Sequence, residues 1–262
     1  MSDDGRTPPR ATGEGTRSAS GEVEIDAPVE RVWRALTEAR ELERWFPLEA
    51  RVSPGKDGSI WMSWKNEYAG ESRILEWDPP HRLVTSWGWH EEDAAPAQRT
   101  EYVLEERGGR TVVRVTTSGF PTDASWDGWV EGTVRGWRFE LASLKRYLER
   151  HEGTDRTVVY LRRRVALPPE EAWRRLLSAD GFGEVAGSLE RFDDAPPLQV
   201  AGIAREPAGA VVRLSSEPTP GSSDRRDMTL WIQLWGEAAP LAGIERAWRA
   251  RLERVFPEGQ MV

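Results

Sequence analysis

Tryptophan is the residue type through which this sequence could do chemistry. There are 14, and ten of them lie between Trp33 and Trp137. An indole has a broad, rigid apolar body and one N–H donor, so several together make walls for a flat apolar molecule with few polar points. Trp33, Trp45 and Trp173 sit at helical spacing and read as ordinary packing. Trp126, Trp129 and Trp137 share one helical stripe, while Trp87 and Tyr102 fall on strands that the same helix should cross. These five are the candidate ligand-binding residues, expected to bound one cavity with its mouth near Trp126.

Groups for acid–base or nucleophilic work are sparse. His81, His90 and His151 have no carboxylate and nucleophile beside them in the order of a triad. Glu76 and Glu101 are strand carboxylates, and alternation could turn one inward, where desolvation would raise its pKa. His90-Glu91-Glu92-Asp93 has ligand-type side chains but reads as a solvated hairpin loop, so no metal is expected. No glycine-rich phosphate loop follows a strand, which leaves nucleotide chemistry unsupported. No catalytic residue and no cofactor is assigned, and binding is favoured over enzymatic activity.

Composition narrows the setting. The chain has 262 residues, a formal net charge of −8 and no cysteine. Disulfides and cysteine-based zinc sites are excluded, and the acidic balance gives no nucleic-acid footprint. No apolar run reaches membrane-spanning length. Residues 1–20 are rich in Gly, Ser, Thr, Pro and charge and lack the apolar core of a signal peptide, so a disordered tail is expected there. The expected setting is the cytoplasm, without nucleic acid or membrane as partners.

The elements that must position the aromatic set follow from periodicity. Glu22–Asp26 alternates as a strand, and Pro28 with Glu30 opens a helix whose buried face is Val32, Trp33 and Leu36. A second short helix over Glu41–Phe46 ends at Pro47. Strands then read at Gly58–Lys65, Glu71–Trp77, Arg82–Trp89, Arg99–Glu105 and Thr111–Thr117, joined as an antiparallel meander. From about Asp123 to His151, Trp126, Trp129, Val130, Thr133, Val134, Trp137, Leu141, Leu144 and Leu148 recur at steps of three and four. That is one long amphipathic helix, stopped at Gly153. Gly128, Gly132 and Gly136 lie on it at four-residue spacing, either fitting between tryptophans, or permitting close approach, or softening a gate. The result is an α+β helix-grip fold, a curved antiparallel sheet wrapped on a long C-terminal helix.

The order of elements, with Ile25-x-Ala27-Pro28-x-Glu30-x-Val32-Trp33-x-Ala35-Leu36, resembles the START-like (birch-pollen-allergen-like, SRPBCC) superfamily. Three further pieces resemble its branch named for the activator of the heat-shock-protein-90 ATPase. They are Trp45-Phe46-Pro47, the run from Ile74 to Val84 through Pro79-Pro80-His81, and Gly119-Phe120 followed by Gly136-Trp137, Leu141, Leu144, Tyr147 and Leu148. The resemblance spans residues 21–152 and implies a fold and a cavity, not a reaction. It also implies a chaperone as an alternative partner to a hydrophobic small molecule, and cyclase- or hydrolase-type chemistry as a further alternative. Oligomeric state stays open.

Residues 155–262 read as a truncated helix-grip copy. Val165, Pro168, Glu170, Trp173, Arg174 and Leu176 match Ile25, Pro28, Glu30, Trp33, Arg34 and Leu36 at an offset of 140. Trp248, Arg249 and Leu252 match Trp137, Arg138 and Leu141 at an offset of 111, so the copy is 29 residues shorter in between. That is the length of at least one hairpin. Its strands are expected at Leu198–Ala204, Ala210–Ser215 and Met228–Leu234, with a loop at Pro218–Asp224.

Overall fold

The computed structural model describes residues 15–64, 69–86, 98–205, 209–219, 224–236 and 241–262. The described residues divide into two compact units, one ending at Asp155 and the other Arg156–Val262. The first begins with β1 (Thr16–Ile25), α1 (Val29–Thr37) and α2 (Ala39–Leu42). A meander follows: β2 (Glu49–Ser53), β3 (Ser59–Ser63), β4 (Ala69–Asp78), β5 (Arg82–Ser86), β6 (Arg99–Arg107) and β7 (Arg110–Pro121). A single 3-10 turn, Ala124–Trp126, leads into α3 (Asp127–Arg146), which ends in a π turn at Tyr147–His151. The seven strands lie in the order β1-β7-β6-β5-β4-β3-β2, so the first and last strands are neighbours.

Local chemistry accounts for these boundaries. Pro28 precedes α1 in an extended conformation and Glu30 sits in its first turn. Arg107 pairs with Arg110 across Gly108 and Gly109, both at positive φ, the conformation a two-residue hairpin of this twist requires. The Asp123 carboxylate accepts from the Ser125 backbone N–H at 2.9 Å and caps the 3-10 turn that leads into the long helix. Gly153, at φ 77°, turns the chain out of it.

Several expectations shift. β1 starts at Thr16, so residues 16–20 are strand and not tail; residues 1–14 lie outside the described residues. β2, an edge strand of five residues, was not foreseen, and α2 covers Ala39–Leu42 only. The strand expected to reach Trp89 is described as far as Ser86, and residues 87–97, with Trp87 and the His90–Asp93 run, lie outside the described residues.

The second unit comprises β8 (Arg156–Val165), α4 (Pro169–Leu176), α5 (Gly183–Ser188), β9 (Glu190–Ala195), β10 (Gln199–Ile203), β11 (Val211–Pro218), β12 (Arg226–Trp235), α6 (Leu241–Val255) and β13 (Gln260–Met261). Its sheet runs β13-β8-β12-β11-β10-β9. As in the first unit, the opening strand pairs with the last meander strand, but four strands stand where the first unit has six. Leu161, Leu214, Leu230, Ile232, Leu252 and Phe256 are buried in its core. Arg163 donates to the carbonyls of Phe256 at 2.7 Å and Pro257 at 3.4 Å, fastening the chain beyond α6 to the sheet. Trp173 lies on α4 as Trp33 lies on α1.

Candidate functional site

Cross-strand register builds the wall that faces α3. Residues paired across an antiparallel ladder share a face, so the inner surface can be read row by row. One row is Ala19, Thr117, Thr100 and Thr85 across β1, β7, β6 and β5. The next is Gly21, Val115, Tyr102 and Leu83, and a third contains Val23, Val113 and Leu104. The threonine row is a polar line inside an otherwise apolar surface, and all three hydroxyl residues are buried.

α3 comes down on this wall closely. A Cβ added at Gly21 would stand 2.9 Å from Leu141 Cδ1 and 3.3 Å from Trp137 Cβ, so only glycine lets the helix approach so near. The approach brings Trp137 Nε1 within 3.0 Å of Thr117 Oγ1, to which it donates, and Thr117 shares a second hydrogen bond of 3.1 Å with Thr100. Tyr102 meets the Trp137 ring edge to face, centroids 5.8 Å apart. Phe46 lies 5.8 Å from the same indole and 5.2 Å from Trp64. Burial first, and then the negative charge of Glu140, push the Tyr102 phenol above the ordinary tyrosine range, so it stays neutral and a donor.

Trp126 and Trp129 stand in a second aromatic group. Trp126 is 1% exposed and packs against Phe120, Ala19 and Trp129, which is half-buried. Its centroid lies 6.4 Å from that of Phe120 and 6.2 Å from that of Trp129. The two groups meet on the β1–β7 ladder, because Ala19 of this group is the register partner of Thr117 in the other. The five candidate residues are thus placed as two pairs, Tyr102 with Trp137 and Trp126 with Trp129, while Trp87 is outside the described residues.

One atom on the wall is anomalous. The Trp126 Nε1–H is buried and has no hydrogen-bond partner among the described residues. A buried orphan donor forfeits about 1–3 kcal/mol relative to a satisfied one, so such groups call for an account. Sequence could not reveal it, since whether an indole is satisfied depends on what folds against it. The threonine row carries a sequence signal, the period-two alternation that sets Thr85 with Leu83, Thr100 with Tyr102, and Thr117 with Val113 and Val115.

The acid–base candidates turn away from the wall. A β-bulge between Ile74 and Glu76 reverses the alternation of β4, and Glu101 falls between the inward Thr100 and Tyr102. Both carboxylates lie on the outer face, paired with Arg82 at 2.6 and 2.7 Å. His81 Nδ1 is 3.4 Å from the Leu104 carbonyl, in the turn before β5. Burial, then the charges of Arg146 and Arg150, lower the His151 pKa and favour its neutral form. Among the described residues, no group of His, Asp and Glu could hold a metal ion.

Residues 26–149 match the family described as Activator of Hsp90 ATPase homolog 1-like protein. No protein of curated function matches the sequence. Among solved structures, the chain is similar to protein MLL2253 from Mesorhizobium loti, at 22% identity and a TM-score of 0.47 over 52% of this chain and 99% of that one. It is also similar to the Aha1 dimer from Colwellia psychrerythraea, at 21% identity and a TM-score of 0.46 over 52% and 99% of the two chains. The di-domain ARO/CYC BexL from the BE-7585A biosynthetic pathway is similar over 92% of this chain and 94% of its own, at 17% identity and a TM-score of 0.45. Together with the strand–helix–meander–helix order of the first unit, the sequence match identifies residues 26–149 as an activator-of-Hsp90-ATPase-homolog-1-like domain of the START-like (SRPBCC) superfamily.

Proposed function

We propose that the wall between α3 and the first sheet binds a small, flat, largely aromatic molecule that carries a hydrogen-bond acceptor. The buried, unpartnered Nε1–H of Trp126 is the observation that carries this reading. An acceptor on the ligand would satisfy that donor, while Trp129, Phe120, Trp137 and Tyr102 supply apolar area on either side of the Ala19–Thr117 junction. The threonine hydroxyls and the neutral Tyr102 phenol provide the few polar points that orient a ligand in such a site. Cyclising or hydrolytic chemistry would need a base on this wall; Glu76 and Glu101 face the other way, and Glu140 of α3 is the carboxylate whose charge reaches Tyr102.

Two probes of one shape test it: 2-acetylnaphthalene, which has a carbonyl acceptor, and 2-isopropylnaphthalene, which has none. Calorimetric titration should show tighter binding of the ketone, and Trp126→Phe should weaken that binding about three- to tenfold, the worth of one neutral hydrogen bond. The hydrocarbon should bind wild type and variant more nearly alike. Equal affinities for both probes and both proteins, or no binding at all, would overturn the proposal.

A chaperone-directed role is the second reading, supported by the family match. Such a surface would be polar: Arg82, Arg110 and Arg114 pair with Glu76, Glu101, Glu22, Glu24 and Glu105 across the outer face of the sheet. Among the described residues Val262 is the one exposed large hydrophobic side chain, which leaves little for apolar docking. Strong salt dependence of any chaperone association would accord with this reading, and salt-independent association would speak against it.

A further inference from the structure

Away from α3, the first unit has a groove of about 430 Å³ whose lining includes Trp33, Arg34, Glu38, Val52, Pro54 and Trp77. It runs from the end of α1 to β2 and β4. Trp33 and Trp77 meet nearly at right angles, centroids 5.1 Å apart and planes at 74°, and give it two aromatic surfaces. Val52 and Pro54 supply the facing apolar side. The volume lies within the range of small-molecule sites.

Its charges are unusual. Arg34 lies in the last turn of α1, and Glu38 follows the helix as its extended C-cap. The Glu38 carboxylate makes no cap bond to α2 and has no ion pair among the described residues. Arg34 reaches Glu152 only at 3.6 Å, and Glu152 is already engaged by Arg31 at 2.6 Å. Half of the Arg34 side chain is exposed. Two opposite, weakly engaged charges therefore line one groove with an aromatic surface.

We infer that this groove binds a zwitterionic aromatic α-amino acid. Its ammonium would pair with Glu38, its carboxylate with Arg34 as a charge-assisted hydrogen bond, and its ring would lie against Trp33 and Trp77. A ligand with one charge satisfies only one rim group, and a neutral aromatic satisfies neither. Trp77 stands beside Leu83 at the end of the row that holds Tyr102, but Trp126, Trp129 and Trp137 do not line the groove.

The test uses the full chain labelled with 5-fluorotryptophan, the Trp33 and Trp77 resonances being assigned by single Trp→Phe substitutions. Titration with L-phenylalanine should shift both resonances saturably. Glu38→Gln and Arg34→Gln, both at exposed positions, should each weaken binding roughly tenfold or more. N-acetyl-phenylalanine amide should bind weakly and equally to wild type and variants, and Trp126→Phe should leave L-phenylalanine binding unchanged. No saturable shift, or equal affinity for the neutral amide, or indifference to both rim substitutions would overturn the inference without touching the α3 wall. A loss of L-phenylalanine binding in Trp126→Phe would overturn its independence from that wall.

Discussion

At the scale of single residues, Thr117 joins the two halves of the wall. It accepts from the Trp137 indole, is bonded to Thr100 and is paired in register with Ala19. Thr117→Val keeps the shape and removes the hydroxyl, stranding the indole N–H and depriving Thr100 of its partner. Denaturant unfolding should report a loss of about 1–3 kcal/mol; a change below about 0.5 kcal/mol would show the bond to be dispensable. Tyr102 gives a pH test. Its folded pKa is raised, so its contribution to stability is complete below the ordinary tyrosine pKa of about 10. It is lost as pH rises from there toward the folded value, because the unfolded chain ionises first. The stability of Tyr102→Phe should therefore fall less steeply above about pH 10 than that of wild type. Tyr147, also raised by burial and its bond to Glu41, remains in both and sets the common background. Equal slopes would contradict the burial of the Tyr102 phenol. The aromatic pairs were legible because large side chains at helical and strand spacing announce themselves. The orphan donor and the outward turn of Glu76 were not, since one depends on missing neighbours and the other on a single inserted residue.

At the scale of elements, glycine separates packing from backbone freedom. Gly21 on β1 touches the closing helix, and Gly21→Ala should cost about 1–3 kcal/mol because Trp137 Cβ, fixed to its backbone, cannot withdraw. The glycines of α3 differ. Among the described residues, a Cβ at Gly128 or Gly136 would meet nothing within 4 Å, and at Gly132 only Arg135 Nη2 at 3.9 Å. Space between tryptophans does not demand them, contrary to the fit expected from their spacing. Gly136→Ala should raise thermal stability by the equivalent of about 0.8–1 kcal/mol. A fall in melting temperature would show that the helix is held closer to its surroundings than this. The length of α3 could be read from periodicity and caps, whereas the π turn at Tyr147–His151 could not, because no propensity marks one extra residue per turn. β2 is hard to read for a related reason: five residues, Glu49–Ser53, alternate too briefly to be distinguished from loop.

At the scale of the whole molecule, the chain contains two units with one plan, an opening strand, two helices, a meander and a closing helix. We read the second as a shortened copy of the first, on the strength of that shared order and the 140-residue offset between the residues of α1 and α4. Superposition of experimental structures of the two units that set Trp33 and Trp173 on non-equivalent turns would refute it. The offset was visible because helices that pack on a sheet keep their large residues. Lost strands leave only a length deficit, so β9 and β13 could not be foreseen. The first unit carries the central proposal, that its α3 wall binds a ligand and is not only a core. It is tested most directly by fluorine NMR of the full chain labelled with 5-fluorotryptophan, Trp126 and Trp137 being assigned by single substitutions. Saturating 2-acetylnaphthalene should shift both resonances together, with the larger change at Trp126, whose N–H acquires an acceptor. Resonances that do not move, or that move only for Trp33 and Trp77, would contradict the account.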